Sequence, residues 1–537
     1  MTQISQSAHV DTFTRESLPP RATWPEFLFT LPELHYPQSV NCAAALLDRH
    51  VLGGAGSRRC LVTDSEMWTY ADLLARSNQV ARVLVEELRL VPGNRVLLRG
   101  PNNPWLVATW FGVLKAGGVA VTTMPLLRAG EIRTVAEIGE VRHVICDHRF
   151  VEDLEGAAIP GVVTLRYGGS AQDDLIKLAA GKPADFENVV TAADDVCLLA
   201  FTSGTTGKPK ATMHFHRDVL AIADAFSRHV LRPTPDDLFA GTPPLAFTFG
   251  LGQSVVFPLH SGAATFLIEQ PSPAHLLEAV ERHRITVLAT APTAYRAMLP
   301  NLGAAQVRSL RACVSAGETL PKATWDAFDE ASGVRIIDGI GSTELLHIFI
   351  SAAGEDIRPG CTGRAVPGYI AEVQDPDGRP VPDGELGRLA VKGPTGCRYL
   401  RGDRQNTYVQ DGWNITGDVY VRDSDGYFQY QARADDMIIS AGYNIAGPEV
   451  EEALLRHPAV AEAAVVGAPD EERGMIVKAI VVLRPGAVLG PEPAKTLQDF
   501  VKGQIAPYKY PRAIDFADTL PRTATGKLQR FRLRESS

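Results

Sequence analysis

The sequence predicts an α/β protein: a large N-terminal domain of several subdomains, with mixed and parallel sheets flanked by helices, and a small α+β C-terminal domain. Three observations predict it. Arg95–Leu98 reads as a strand, Trp105–Lys115 as an apolar helix and Gly118–Val121 as another strand, a βαβ unit that requires parallel pairing. The same grammar recurs where Ile285–Ala289 runs into Pro292, Ala312–Val314 into Ser315-Ala316-Gly317-Glu318, and Val334–Ile337 into a loop over Asp338–Glu344. From about Ile370 the texture changes to short strands with Pro-Asp-Gly turns at 376–378 and 382–384. A chain of 537 residues exceeds one typical core. The boundary falls at Ala434, giving domains 1–433 and 434–537.

A net charge of −9, with acids and bases interspersed, argues against nucleic acid as a partner, because phosphate-backbone binding needs a concentrated basic face. The seven cysteines include no CxxC pair, which fits reduced thiols in the cytoplasm rather than a disulfide framework or a zinc site. The N-terminus lacks a basic start and an apolar stretch. The longest apolar segment, Trp105–Leu114, is too short to span a bilayer, so neither export nor membrane association is expected.

The apolar run Val196–Phe201 reads as a buried strand that delivers Thr202-Ser203-Gly204-Thr205-Thr206-Gly207-Lys208-Pro209-Lys210 to a sheet edge. Glycines let backbone amides approach phosphate oxygens, while the hydroxyls of Ser203, Thr205 and Thr206 and the charge of Lys208 or Lys210 add donors. It is not a Walker loop, which needs glycine at 202 and Ser or Thr after the lysine. In open α/β sheets ligands sit at the carboxyl ends of strands. The loops at 202–210, 315–318 and 338–344 are therefore expected to face one crevice.

Taken in order, the loop 201–210, Ser342-Thr343-Glu344, Thr416-Gly417-Asp418, Arg433-Ala434-Asp435-Asp436 and Pro521–Lys527 resemble the motifs of the adenylate-forming superfamily. That superfamily includes acyl-CoA synthetases, luciferases and peptide-synthetase adenylation domains. Within it the chain is most similar to the benzoate and 2-aminobenzoate CoA ligases, through Asp338–Glu344 continuing into His347–Ser351, and through Trp24–Phe27 and Asn41–Ala43. The resemblance implies that a carboxylate attacks the α-phosphate of ATP, giving an acyl-adenylate and pyrophosphate, before a thioester forms with coenzyme A. It assigns the first loop, with Thr205, to the phosphates, Glu344 to magnesium, Asp418 to the ribose hydroxyls and Arg433 to ribose or phosphate. Gly317, Glu318, Asp338, Gly339, Ser342 and Thr343 join them in the nucleotide site. Carboxylate oxygens suit both a diol and a hard cation. Lys527 resembles the catalytic lysine that stabilises charge at the α-phosphate. Asp435 resembles a hinge about which the C-terminal domain moves, and Ser440, Ala441 and Gly442 resemble the lining of a coenzyme A channel.

By the same resemblance Ala246, Phe247, Ala316, Gly341 and His347 are the acid-pocket residues. A flat aryl acid is a sensible occupant of such walls. A short branched or 2-hydroxy aliphatic acid, such as 2-hydroxyisobutyrate, also fits if the bulky side chains shorten the pocket. Loading of a carrier protein in trans and a light-emitting oxidation share the same first half-reaction. The sequence does not fix the oligomeric state; a homodimer is compatible with it.

Overall fold

The computed structural model describes residues 5–203, 209–303, 306–401, 404–434, 436–440, 443–470, 473–487, 492–505, 507–522 and 528–535. The βαβ unit is realised as Arg95–Arg99, the helix Pro104–Lys115 and Val119–Thr123, with its two strands parallel. Asn103 caps the helix by accepting from the Leu106 amide, Pro104 starts it, and every residue but Trp105 is buried. The unit belongs to a six-stranded sheet ordered Val163–Tyr167, His143–Asp147, Arg95–Arg99, Val119–Thr123, Val196–Ser203, Pro209–Phe215. Pairing is parallel until Pro209–Phe215 turns back antiparallel on Val196–Ser203.

A nine-stranded sheet packs into the same core. Its parallel centre runs from Arg59–Val62 through Ala264–Phe266, Leu238–Gly241, Val287–Thr290 and Ala312–Ser315 to Ile336–Gly341, with antiparallel strands at both edges. One expectation is corrected here: Asp338–Gly341 is strand, not loop. Gly339 and Gly341 pair with Ser351 and Ile348, and a Cβ on Gly341 would lie 2.6 Å from the His347 carbonyl oxygen, so glycine is what permits the pairing. The true turn begins at Ser342 and holds Leu346 at φ +70°, an uncommon conformation for leucine.

The β-rich region is an antiparallel sheet of Ile370–Gln374, Leu386–Lys392, Trp413–Arg422 and Val409–Gln410, with Phe428–Arg433 paired to Trp413–Arg422. Beyond it the hairpin Ile438–Ser440/Tyr443–Ile445, the helix Gly447–Leu455 and a three-stranded sheet close around their own apolar cluster, including Ile438, Val450, Leu454, Val465, Val477 and Val501.

The N-terminal segment is fastened at the base of the Val196–Phe215 hairpin. Ser7 Oγ and the Ala8 amide donate to the Asp195 carboxylate, which also caps the Ala192 amide. Asp11 pairs with the buried Arg95 at 2.5 Å. Among the described residues no helix is long and apolar enough to cross a membrane.

Candidate active site

The carboxyl ends of the two large sheets, the antiparallel sheet and the C-terminal segment enclose one cleft of about 2400 Å³. Drug-sized ligands occupy roughly 300–1,000 Å³, so several can be held at once. Its walls include Thr202, Lys210, Ala316, Gly317, Glu318, Asp338, Gly339, Gly341, Ser342, Thr343, Glu344, Asp418 and Arg433, together with Ala246, Phe247 and His347. Ser203 ends its strand opposite Pro209, as Thr202 pairs with Lys210. Ser440 is buried and is not among the cleft's lining residues; among the described residues its hydroxyl has no hydrogen-bond partner. Gly204, Thr205, Thr206, Gly207, Lys208, Asp435, Ala441, Gly442 and Lys527 lie outside the described residues.

On one side Asp418 and Arg433 are direct partners across antiparallel strands. Arg433 Nη1 donates to Asp418 Oδ1 at 2.9 Å and to the Thr416 carbonyl at 3.2 Å. Gly417 has φ +79°, and a Cβ there would sit 3.0 Å from the guanidinium, which explains the Thr-Gly-Asp sequence. A buried carboxylate beside a cation suits a polar, partly anionic ligand such as a ribose phosphate.

Glu344 rides on the turn after Gly341. Tyr399 Oη donates to its Oε1 at 2.6 Å, Ser342 Oγ accepts from the Leu345 amide, and Thr395 Oγ1 donates to the Leu345 carbonyl. The neighbouring carboxylate raises the Tyr399 pKa further above what burial does, so the phenol stays a donor. Asp338 lies beside Ser315 in parallel register, with Oδ1 shut off from solvent and, among the described residues, without a well-formed hydrogen bond. Burial pushes its pKa up to about 7, against the opposing pull of the Ser315 hydroxyl and the Gly339 amide.

The five residues expected to form an acid pocket, Ala246, Phe247, Ala316, Gly341 and His347, all line the cleft. His347 is buried among Phe226, Phe249 and Phe257, with ring centroids 5.5, 5.7 and 4.5 Å away. Burial pushes its pKa down to about 3, so the ring is neutral; the Phe249 backbone is near, but among the described residues neither ring nitrogen makes a well-formed hydrogen bond. Phe247 is half-buried and precedes the short helix Thr248–Leu251, which runs into a π-helical turn at Gly252–Val256. A Cβ on Gly252 would strike the His347 ring, so that glycine makes the ring's site.

Sequence reasoning missed two groups. Tyr399 carries no local signal of its role. Arg522 stands in the Pro521–Lys527 motif, whose sequence gives no sign of its partners. Its guanidinium faces Glu318 Oε1 at 3.5 Å and Glu462 Oε2 at 2.5 Å, and Arg296 reaches the same Glu462 oxygen at 3.5 Å. These four alternating charges bridge the C-terminal sheet to the cleft wall.

A family model described as AMP-binding enzyme matches residues 48–399, and one described as AMP-binding enzyme C-terminal domain matches residues 449–527. The chain is 36% identical to a benzoate–CoA ligase of Thauera aromatica over 94% of this chain and 98% of that protein. It is 32% identical to a 3-hydroxybenzoate–CoA ligase of Aromatoleum sp. (strain CIB), covering 94% and 99%. Among solved structures, the anthranilate CoA ligase AuaEII in complex with anthranoyl-AMP superposes with a TM-score of 0.88 at 33% identity, covering 94% of this chain and 99% of that one. A benzoate CoA ligase from Burkholderia xenovorans LB400 gives 0.85 at 34% identity, covering 92% and 100%. With motifs, fold and these matches in agreement, the chain belongs to the AMP-binding enzyme family, the adenylate-forming superfamily that its motifs resemble.

Proposed function

We propose that the chain is an AMP-forming acid–CoA ligase that activates an aromatic carboxylic acid of the benzoate or 2-aminobenzoate type in the cytoplasm. The observation that carries this reading is the continuity of the cleft: the hairpin ends Thr202 and Lys210, the Asp418–Arg433 pair and Glu344 share it with a pocket walled by aromatic rings. In the first step a carboxylate oxygen of the acid attacks the α-phosphorus of ATP and pyrophosphate leaves. In the second the coenzyme A sulfur attacks the acyl carbon and AMP leaves with the bonding pair.

Asp418 and Arg433 hold the ribose and its phosphate in this reading. Gly317, Glu318, Asp338 and Gly339 hold the base, while Thr202, Ser203 and Lys210 continue into the loop that grips the outer phosphates. Glu344 fits a magnesium ion, because among the described residues only Tyr399 hydrogen-bonds its carboxylate. When bound, that ion would neutralise phosphate charge. Lys527 serves the first step, with residues 434–537 turning about Asp435 to bring Ser440, Ala441 and Gly442 to the second.

The test compares kcat/KM for coenzyme A-dependent AMP release across benzoate, 2-aminobenzoate, a short fatty acid and 2-hydroxyisobutyrate. An aryl acid is expected to lead by at least tenfold; a leading aliphatic acid would overturn the substrate class and leave the ligase chemistry standing. Lys527→Ala, assayed in single turnovers, is expected to abolish adenylation and to spare thioester formation from supplied acyl-adenylate.

A further inference from the structure

Behind the cleft, where the hairpin of Val196–Ser203 and Pro209–Phe215 meets the N-terminal segment, the structure gathers three soft or borderline donors that the reaction does not use. Cys42, Cys197 and His216 are each fully buried, and one ligand atom from each lies within 4.8 Å of the other two. Cys42 Sγ is 3.1 Å from His216 Nδ1. All seven cysteines are free, and Cys42 and Cys197 are brought together from remote parts of the chain, so no spacing motif announces the cluster.

We propose that Cys42, Cys197 and His216 form a structural site for a thiophilic divalent cation, Zn²⁺. Zinc bonds of about 2.3 Å to sulfur and about 2.0 Å to nitrogen place tetrahedral ligand atoms roughly 3.5–3.8 Å apart, a separation these three reach by side-chain adjustment alone. Charge favours the same ion. Two thiolates and a neutral imidazole cancel its charge, so a site without solvent gains no net charge on loading, and two thiol protons leave as the cation enters. His216 Nδ1 also lies 3.2 Å from the Cys42 amide, and coordination at Nδ1 replaces that contact. The three protein ligands leave one tetrahedral position to a further donor.

Such an ion would tie three pieces together: the N-terminal segment at Cys42, the strand that ends at Ser203, and the end of the strand that carries Lys210. It would act on the phosphate hairpin from its base, without touching nucleotide.

The test uses the full chain, reduced, stripped with a chelator and titrated with Zn²⁺ against a colorimetric competitor, and with Co²⁺ for the thiolate-to-metal absorption near the ultraviolet edge. One equivalent per chain is expected, with the cobalt band. Cys42→Ser and Cys197→Ser should each weaken zinc at least a hundredfold, whereas Cys361→Ser, at a partly exposed thiol outside the cluster, should leave it unchanged. The cobalt spectrum of the unaltered chain decides the matter even if a serine variant misfolds. Absence of the thiolate band, or zinc uptake equal in the serine variants, would each overturn the proposal.

Discussion

Tyr399 Oη stands 2.6 Å from Glu344 Oε1, and the tyrosine is itself buried in the wall that carries Arg398 and Leu400. The phenol fixes one carboxylate oxygen and leaves the other for a ligand. Loss of a group that orients a metal-binding carboxylate commonly costs ten- to a hundredfold in metal affinity. Tyr399→Phe should therefore raise the magnesium concentration for half-maximal adenylation by about tenfold or more, read from magnesium titrations and from Mn²⁺ binding by electron paramagnetic resonance. An unchanged metal requirement with uniformly lower activity would make Tyr399 a packing residue.

Asp338 gives a pH prediction. Its pKa is raised to about 7, so the folded state holds a proton between about pH 4 and 7 that the unfolded chain has released. Its contribution to stability thus declines as pH rises through that window and is flat above it. If the ionised carboxylate accepts from the adenine amino group, KM for ATP should fall as pH rises from 6 to 8. Asp338→Asn should flatten that slope. A slope that survives the substitution would place the titrating group elsewhere.

The charges Glu318, Arg522, Glu462 and Arg296 alternate in sign across the junction with the C-terminal sheet. Glu462 touches arginines and no cleft ligand, so Glu462→Gln should slow single-turnover adenylation by roughly three- to tenfold and leave the thioester step unaffected; exposed to partly buried pairs contribute about 1 kcal/mol. The wild-type adenylation rate should also fall with added salt, and that of the variant should not. Equal slowing of both half-reactions would show that the contact merely supports the fold.

Phe247 and His347 offer a specificity test. Phe247→Ala should cut kcat/KM for benzoate-type acids by roughly ten- to two-hundredfold, the scale of about 1–3 kcal/mol of pocket contact, with little change in ATP affinity. His347→Ala should penalise 2-aminobenzoate more than benzoate if a neutral ring nitrogen receives the ortho-amino group. Matching losses for the two acids would leave His347 as part of the aromatic core around Phe226 and Phe257.

Stability rests on a buried ion pair. Arg398 and Asp218 are fully enclosed and in direct contact, and the guanidinium lies 3.9 Å from the centre of the Phe215 ring. Arg398→Met strands the carboxylate and should cost roughly 3–5 kcal/mol, whereas Arg398→Met with Asp218→Leu should recover most of it. Urea unfolding of the two variants separates these outcomes, and a double variant as weak as the single would refute the pairing argument.

Much of this was legible in the residues. Arg95–Thr123 announced parallel pairing because its apolar runs switch between strand and helix lengths, and Pro-Asp-Gly marked the antiparallel turns. Asp338–Gly341 misled because two glycines in four residues read as loop, while the pairing that makes them strand comes from Ile348–Ser351 across a turn. Arg522 lies inside a recognisable motif, yet a guanidinium between two carboxylates from remote parts of the chain has no local pattern. The Tyr399 contact with Glu344 was hidden for the same reason. Cys42 and Cys197 argued against a metal when judged by spacing, and only the folded topology sets them beside His216.

The Asp195 carboxylate receives Ser7 and Ala8 at the foot of the strand that leads to Ser203. A tag or a trim within the first dozen residues would disturb the Ser7, Ala8 and Asp11 contacts that fasten the base of the hairpin whose tip carries Thr202 and Lys210. A kinetic comparison of material that differs only in that stretch is therefore not a comparison of equals.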